Sequence, residues 1–565
     1  MFIAIDKKMN AWQIIPDNCS IYPVGGQPVA RLITIGPRKA HRLKIGNITK
    51  KGSNFMTSYI APKKVYSSGQ TNIGALFHRR VSAHPDQIAV VEESRVLTYH
   101  QLEDRSNRLA HLMIDLGLEK GDRVGLLARN CAEYVEVELA AAKAGTIVAA
   151  LNWRLGNREL RHCVQLVELK MIIVQCEFIE ALDRLGLPEI QRIEIGETYE
   201  ERLANLPSEY PVQDIDPEDG MIILYTSGTT GLPKGALISH RAMLARAMCF
   251  ASEMQIPVGD NFIAWPPFYH MASTDQFLAT LLRGGTVYVV DGYLPERIVE
   301  ILETVTTRFL ILMPGMVGPF VEYLKAHNVK PKGVDIIGAM ADLVPREDIA
   351  AATRFFNAPY LNTFGSTETG LPPATSNLIA VGVAPTSLSK RQSAFCEVRL
   401  VDPDDNDVPV GAPGEVAFRG PTVFSGYWKA DDVNKQDFRG GWFHMGDVMR
   451  RNADGTLDYV DRVKYMIKSG GENIYPAEIE QVLLNDNRIT KAVVVKRPDK
   501  KWGEVPVVFI VSEDSALTVE DVENLCKKDL SGYKRPKAVY FIEEKDLPRS
   551  TTGKIQRHEL ENRLK

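Results

Sequence analysis

The chain has 565 residues, 45% hydrophobic and 24% charged, with 67 Lys and Arg against 71 Asp and Glu for a formal net charge of -4. Composition this close to average globular usage excludes wholesale disorder, collagen-like repeats and coiled coil, and the lack of positive excess argues against a dedicated nucleic-acid binder. The length predicts several cores, or one large domain with appendages.

Residues 1–55 carry nine Lys and Arg against Asp6 and Asp17, with no Glu. This basic extension reads either as a transit-like segment permitting organelle import or as a start-site artefact, with Met56 the real start. From Thr71 the texture alternates between helical and extended. Thr98-Tyr99-His100-Gln101 has the form of a capping box, and Leu102, Leu109, Leu112, Met113 and Leu116 then recur at helical spacing before Gly117. Residues 124–128 read as a short buried strand and those from Ala132 onward as another helix. The apolar run at 139–151 contains Lys143 and is too short to span a bilayer. Such alternation to about residue 360 predicts an α/β fold with mostly parallel strands. Around 398–428 prolines and glycines break the pattern into short strands, predicting a small antiparallel, barrel-like unit before a final α+β stretch. The seven cysteines, Cys19, Cys131, Cys163, Cys176, Cys249, Cys396 and Cys526, form no C-x-x-C pair, so a reducing, cytoplasmic compartment is expected.

The strongest local signal is an apolar run, Gly220 to Tyr225, entering Thr226-Ser227-Gly228-Thr229-Thr230-Gly231-Leu232-Pro233-Lys234-Gly235. Glycines let backbone N–H groups turn toward a common point, hydroxyls add donors and Lys234 adds a point charge, a set that suits polyphosphate oxygens. It is not a Walker A loop, because Lys234 is followed by Gly235 rather than Ser or Thr. By composition alone an ordinary turn remains open.

As a string, residues 225–239 resemble the phosphate-loop signature of the adenylate-forming superfamily, which includes acyl-CoA synthetases, peptide-synthetase adenylation domains and luciferase-like enzymes. Further matches follow in the family's order: Thr363-Phe364-Gly365-Ser366-Thr367-Glu368, Gly441-Trp442-Phe443-His444-Met445-Gly446-Asp447, Asp461-Arg462-Val463-Lys464, Ser469-Gly470-Gly471-Glu472 and Pro548-Arg549-Ser550-Thr551-Thr552-Gly553-Lys554. The resemblance implies a large N-terminal adenylation domain at 56–463, made of two α/β layers and the small β unit, and a smaller mobile C-terminal domain at 464–565. It also implies a two-step reaction in which a carboxylate and ATP give acyl-AMP and pyrophosphate, and a thiol then displaces AMP. The cofactor and co-substrates implied are Mg2+, ATP and coenzyme A.

The same resemblance assigns roles by position. Lys554 bridges the acid and the α-phosphate during adenylation. Thr226, Ser227, Gly228, Thr229, Thr230, Gly231 and Lys234 hold phosphates, Thr367 adds a phosphate contact, and Glu368 is the metal ligand, a hard cation that keeps its waters wanting one carboxylate. Phe364 and Gly365 form one wall of the adenine slot, with Gly338, Ala339 and Met340 opposite. Asp447 and Arg462 meet the ribose, Lys464 is the hinge, and Gly470 and Gly471 line the CoA path. His270 lies beside the acyl carboxylate, and Trp265, Met271, Ala272 and Ile337 are the apolar acyl-pocket candidates. Lys527, Lys528, Lys534, Arg535 and Lys537 read as CoA-phosphate contacts or, more simply, as a solvated basic face.

Two stretches depart from the family pattern. Ile337-Gly338-Ala339-Met340-Ala341-Asp342-Leu343 stands where relatives usually read Gly-Gly-Ala-Pro-Leu, and residues 385–395 lack the glycines that usually precede the next strand. With no Asp at the His270 position, amino acids are disfavoured. The expected activity is ligation of a hydrophobic acid (fatty, alicyclic or aromatic) to CoA. A carrier protein as acyl acceptor, a luciferase-like oxidation and a non-catalytic nucleotide-binding protein are the alternatives.

Overall fold

A computed structural model describes residues 3–5, 12–14, 70–187, 190–226, 232–375, 377–470, 472–549 and 555–564. It divides into two compact units, Met1–Ser68 and Gly69–Lys565. In the first, one antiparallel pair is described, Ile3–Ile5 with Trp12–Ile14. The choice between the two readings of the basic extension otherwise falls outside the described residues.

In the second unit the alternation read from the sequence becomes three α/β sheets. The largest runs Lys234–Ser239, Gly220–Thr226, Ile147–Ala150, Arg123–Leu127, Met171–Gln175, Gln191–Ile195, parallel throughout except for its first pair. Its central strands are unbroken apolar runs because both faces are covered. Val124, Leu126, Val148, Ala150, Ile222 and Leu224 enter one core, whereas Leu127, Ile147, Ala149 and Ile223 enter a second. The period-2 side-chain alternation of a strand thus feeds two cores. The helix Tyr99–Asp115 starts at the expected capping box: Gln101 N–H donates to Thr98 Oγ1 at 3.2 Å, and Thr98 N–H to Gln101 Oε1 at 2.8 Å.

A second sheet runs Phe262–Ala264, Val287–Val289, Ile88–Glu92, Arg95–Thr98, and a third Thr306–Leu310, Gly333–Ile337, Tyr360–Leu361, Leu378–Ile379. The first three strands of the third sheet are parallel, so two of its loops emerge side by side at their carboxyl ends, where open α/β sheets bind ligands. The antiparallel unit extends past the expected 398–428. Its strands are Glu397–Val401, Pro413–Arg419, Phe443–Arg451 and Leu457–Arg462. The third strand lacks apolar alternation because it buries polar His444 and Asp447.

After a short 3-10 turn, Val463–Tyr465, the remaining chain builds its own sheet. The order is Glu472–Ile474, Ile467–Ser469, Gly503–Val511, Lys491–Asp499, with Val539–Phe541 also on Gly503–Val511. Two further cores cover its faces and draw only on residues from Ile467 onward. Among the described residues no helix is long and apolar enough to cross a membrane. The described cysteines, Cys131, Cys163, Cys176, Cys249, Cys396 and Cys526, are free.

Candidate active site

Ser227, Gly228, Thr229, Thr230, Gly231, Gly471 and Lys554 lie outside the described residues. The ends of the glycine-rich loop are described, and they are pinned: Lys234 pairs with Thr226 across an antiparallel ladder. Residues 425–428 run along the outer strand, Leu237 N–H donating to Gly426 O at 3.0 Å and Trp428 N–H to Gly235 O at 2.7 Å. That backbone pairing sets the Tyr427 ring 3.9 Å from Lys234 Nζ. Burial holds the Lys234 ammonium below the ordinary lysine value, with Asp437 and Glu368 pulling it back up.

The Tyr427 hydroxyl donates to Glu368 Oε1 at 2.7 Å. Burial, reinforced by Glu368, raises the Tyr427 phenol far above its usual value, so it stays a donor. Glu368 is therefore a carboxylate oriented at one oxygen, with lone pairs left for a cation. Among the described residues no group of three or more His, Cys, Asp or Glu gathers as a metal cage. This donor set fits Mg2+, which takes one carboxylate and fills its octahedron from phosphates and water. Thr367, beside it, is held through its carbonyl by Arg246 Nη2 at 2.9 Å.

Two loops at the strand ends make the slot. Gly338 has φ +82, and a Cβ there would sit 2.2 Å from the Tyr360 ring. Only glycine permits both the left-handed backbone and that approach. The Tyr360 hydroxyl in turn donates to Ala339 O at 2.9 Å and accepts Ala339 N–H at 3.3 Å. Met340 follows at φ 49, ψ 59, its N–H on Thr363 Oγ1 at 3.4 Å. Past the loop after Tyr360–Leu361, Phe364 opens a short strand, Phe364–Ser366, paired antiparallel with Gly370–Ala374, its ring 5.6 Å from Tyr459, and Gly365 beside it is exposed. The structure thus brings Met340 against Thr363, the residue before Phe364.

Asp447 and Arg462 face each other across paired strands, Oδ1 to Nε 2.8 Å. Burial works against the Arg462 charge, but Asp447 together with Tyr459, Glu368 and Tyr465 outweighs it and raises the guanidinium. Asp461 Oδ2 accepts Ala477 N–H at 2.7 Å, so a carboxylate before Lys464 caps the helix Pro476–Leu483 after it. Gly470 has φ +59, and a Cβ there would meet the Trp502 ring at 2.6 Å. Of the basic residues read as a solvated face, Lys534 pairs with Glu478 at 2.6 Å and Arg535 Nε donates to Leu530 O at 3.0 Å.

On the acyl side His270 is exposed and N-caps the helix Met271–Leu282, its Nδ1 accepting Ala272 N–H at 3.1 Å. The neutral ring therefore carries its proton on Nε2. Met271 is buried and Ala272 half-buried. Trp265 and Ile337 belong to the core, and Trp265 Nε1 is committed to Ile311 O at 3.0 Å. Sequence reasoning missed two residues that hold this side. Buried Asn130 donates to the carbonyls of Trp265, Pro266 and Val290, while its Oδ1 accepts Phe268 N–H at 2.9 Å, fixing the segment before His270. Buried Arg246 joins Asp275 of the His270 helix at 3.4 Å to Thr367 and Thr422. A lone polar residue between a strand and a helix was the only signal for Asn130.

Parallel sheets with loops at their carboxyl ends, an oriented carboxylate beside a glycine-rich loop, and a separately cored C-terminal body are the arrangement of an adenylate-forming enzyme. The model of the AMP-binding enzyme family matches residues 77–428 and that of the AMP-binding enzyme C-terminal domain residues 478–554, so the chain belongs to the AMP-binding enzyme family. It is 31% identical over 489 residues to a feruloyl-CoA synthase of Amycolatopsis sp, covering 86% of this chain and 98% of the relative. It is 30% identical over 496 residues to a fatty acid–[acyl-carrier-protein] ligase of Streptomyces coeruleorubidus, covering 85% and 94%. A solved Mycobacterium tuberculosis fatty acyl CoA synthetase superposes with TM-score 0.71 at 26% identity, covering 87% and 98% of the two chains.

Proposed function

We propose that the chain activates a hydrophobic carboxylic acid with ATP and passes the acyl group to the thiol of coenzyme A. The observation that carries this reading is the Lys234–Tyr427–Glu368 cluster beside the 338–340 and 363–365 loops. In the first step the acid's carboxylate oxygen attacks the α-phosphorus, the bond to the β-phosphate breaks and pyrophosphate leaves. In the second the CoA sulfur attacks the acyl carbon, the bond to AMP breaks, and the thiol proton goes to solvent. Charge develops on phosphate oxygens, so fixed cations and donors supply most of the barrier lowering. Mg2+ held by Glu368 would supply charge neutralisation there. Lys234 and the loop 226–231 bind the phosphates, Asp447 and Arg462 orient the ribose, and His270 offers its Nε2 proton to the acid. Lys554 bridges acid and phosphate, and Lys464 is the hinge and domain boundary at which the C-terminal domain turns to bring Gly470 and Gly471 to the thiol.

The two relatives are named for a feruloyl and a fatty acid substrate, which supports an apolar acid and divides the acceptor between CoA and a carrier protein. The test is AMP release over a panel of acids with ATP and Mg2+, with and without CoA. Acyl-CoA accumulating only with acid and CoA together supports the ligase. An adenylate that CoA does not discharge but an acyl-carrier protein does favours the second reading. Lys554→Ala should abolish adenylation yet spare thiolation of supplied acyl-AMP, and equal loss of both half-reactions would remove its role.

A further inference from the structure

We propose that Lys390 is a positioning residue that sets the slot between the 338–340 and 363–365 loops, by strapping both walls to each other and to the antiparallel sheet. The inference rests on the assignment of those loops as the nucleotide and acyl slot made above. Lys390 is fully buried, and its Nζ lies 2.6 Å from Asp342 Oδ2, 2.5 Å from Asn362 Oδ1 and 3.4 Å from Leu388 O. Those are three acceptors for the three ammonium protons. Asp342 lies two residues beyond Met340, and Asn362 two residues before Phe364. The Lys390 backbone exchanges two hydrogen bonds with Leu457, each 2.8 Å, at the start of the strand that ends in Arg462. One residue therefore ties the segment just past Met340, the residue two before Phe364 and the sheet that carries the Asp447–Arg462 pair.

A buried ammonium is expensive unless paired, and an apolar side chain would fill the same space at lower cost. Lys390 stands in the glycine-free run 385–395, and Asp342 in the other stretch that departs from the family pattern. The two departures meet as one ion pair. Burial depresses the ammonium's proton affinity while Asp342 works to restore it. Between the strap and the slot sits Met340, whose left-handed backbone is strained for a residue with a side chain. It is held by Thr363 on one side and, two residues on, by the pinned Asp342. Cutting the strap lets Met340 relax and move the wall.

The test compares wild type, Lys390→Met, Asp342→Asn and the double variant as full chains. It measures ATP affinity by calorimetry, the thermal midpoint, and kcat and KM over the acid panel. The strap predicts about a tenfold loss of ATP affinity in each single variant and no further loss in the double, because neighbours sharing one interaction are not additive. It also predicts a changed ranking of acids, with KM moving more than kcat. Asp342, with 26% of its side chain exposed, keeps the test open should Lys390→Met fail to fold. Wild-type ATP affinity and acid ranking in Asp342→Asn, or additive effects with only the thermal midpoint lowered, would overturn the strap and leave an ordinary buried ion pair. Calorimetry needs no turnover: a wild type that binds ATP but converts no acid removes the ligase reading while the affinities still judge the strap. A wild type that binds no ATP overturns both.

Discussion

Gly338→Ala tests the slot where its geometry is tightest. The new Cβ would stand 2.2 Å from two Tyr360 ring carbons, against an ordinary contact of 3.4–4 Å, so wall and ring must part by more than an ångström. Tyr360 is fully buried and tied to Ala339 by both its hydrogen bonds, so the ring cannot move without pulling the wall with it. Placing a side chain at φ +82 costs about 1–2 kcal/mol, overpacking about 1–3, and the loss of a Tyr360–Ala339 bond about 1, or about 3–6 kcal/mol together. Gly121→Ala is the control: its φ is +86, but nothing lies within 4 Å, so it bears only the backbone share. Differential scanning fluorimetry and calorimetry with ATP should show Gly338→Ala unfolding at a markedly lower temperature than Gly121→Ala and losing ATP affinity by more than about a hundredfold. Equal midpoints for the two variants, with wild-type ATP affinity in Gly338→Ala, would refute the argument.

Tyr427→Phe keeps the ring under Lys234 but removes the donor to Glu368. The Mg2+ concentration for half-maximal AMP release should rise about tenfold, or about 1.4 kcal/mol, and an unchanged Mg2+ titration would show that the hydroxyl does not orient the carboxylate. Asp447→Asn removes the charge 2.8 Å from Arg462 and should raise the KM for ATP about ten- to a hundredfold with a smaller change in kcat; steady-state kinetics decide it. His240 is buried, accepts Ile73 N–H at 3.4 Å, and is pushed by burial from 6.5 down to about 4. Between those values the unfolded chain binds the extra proton, so the stability from a neutral His240 is complete above pH 6.5 and lost as pH falls to 4. That loss is about 3 kcal/mol, and His240→Gln should flatten the thermal midpoint against pH across this window.

Local and sequential features were legible. The Thr98 box acts over three residues, and the apolar runs at 124–128 and 220–225 announce themselves; the box stands in the structure, and the runs stand as the strands Arg123–Leu127 and Gly220–Thr226. Gly338 and Gly470, singled out by motif, both have positive φ against an aromatic ring, a backbone requirement the sequence does not display. What was not legible works at long separation. Tyr427 reaches Glu368 across 59 residues, Arg246 reaches Thr367 across 121, and Asn130 reaches Trp265 across 135. Nothing in the neighbourhood of Tyr427 or Arg246 marks it, because the partner is supplied by tertiary pairing. Trp265 and Ile337 read as pocket residues from being apolar near a motif, a criterion that cannot separate a lining from the core behind it.

The cap that Asp461 places on Ala477 has a mechanical consequence. The cap spans the proposed pivot, so any rotation at Lys464 tears a buried carboxylate from a helix start before new contacts can form. Such a cap is worth about 0.5–2 kcal/mol, which turns the described pose into a well with a lip rather than one point on a free swing. The molecule would then dwell and snap, and that hydrogen bond is one of the contacts that set how long it dwells.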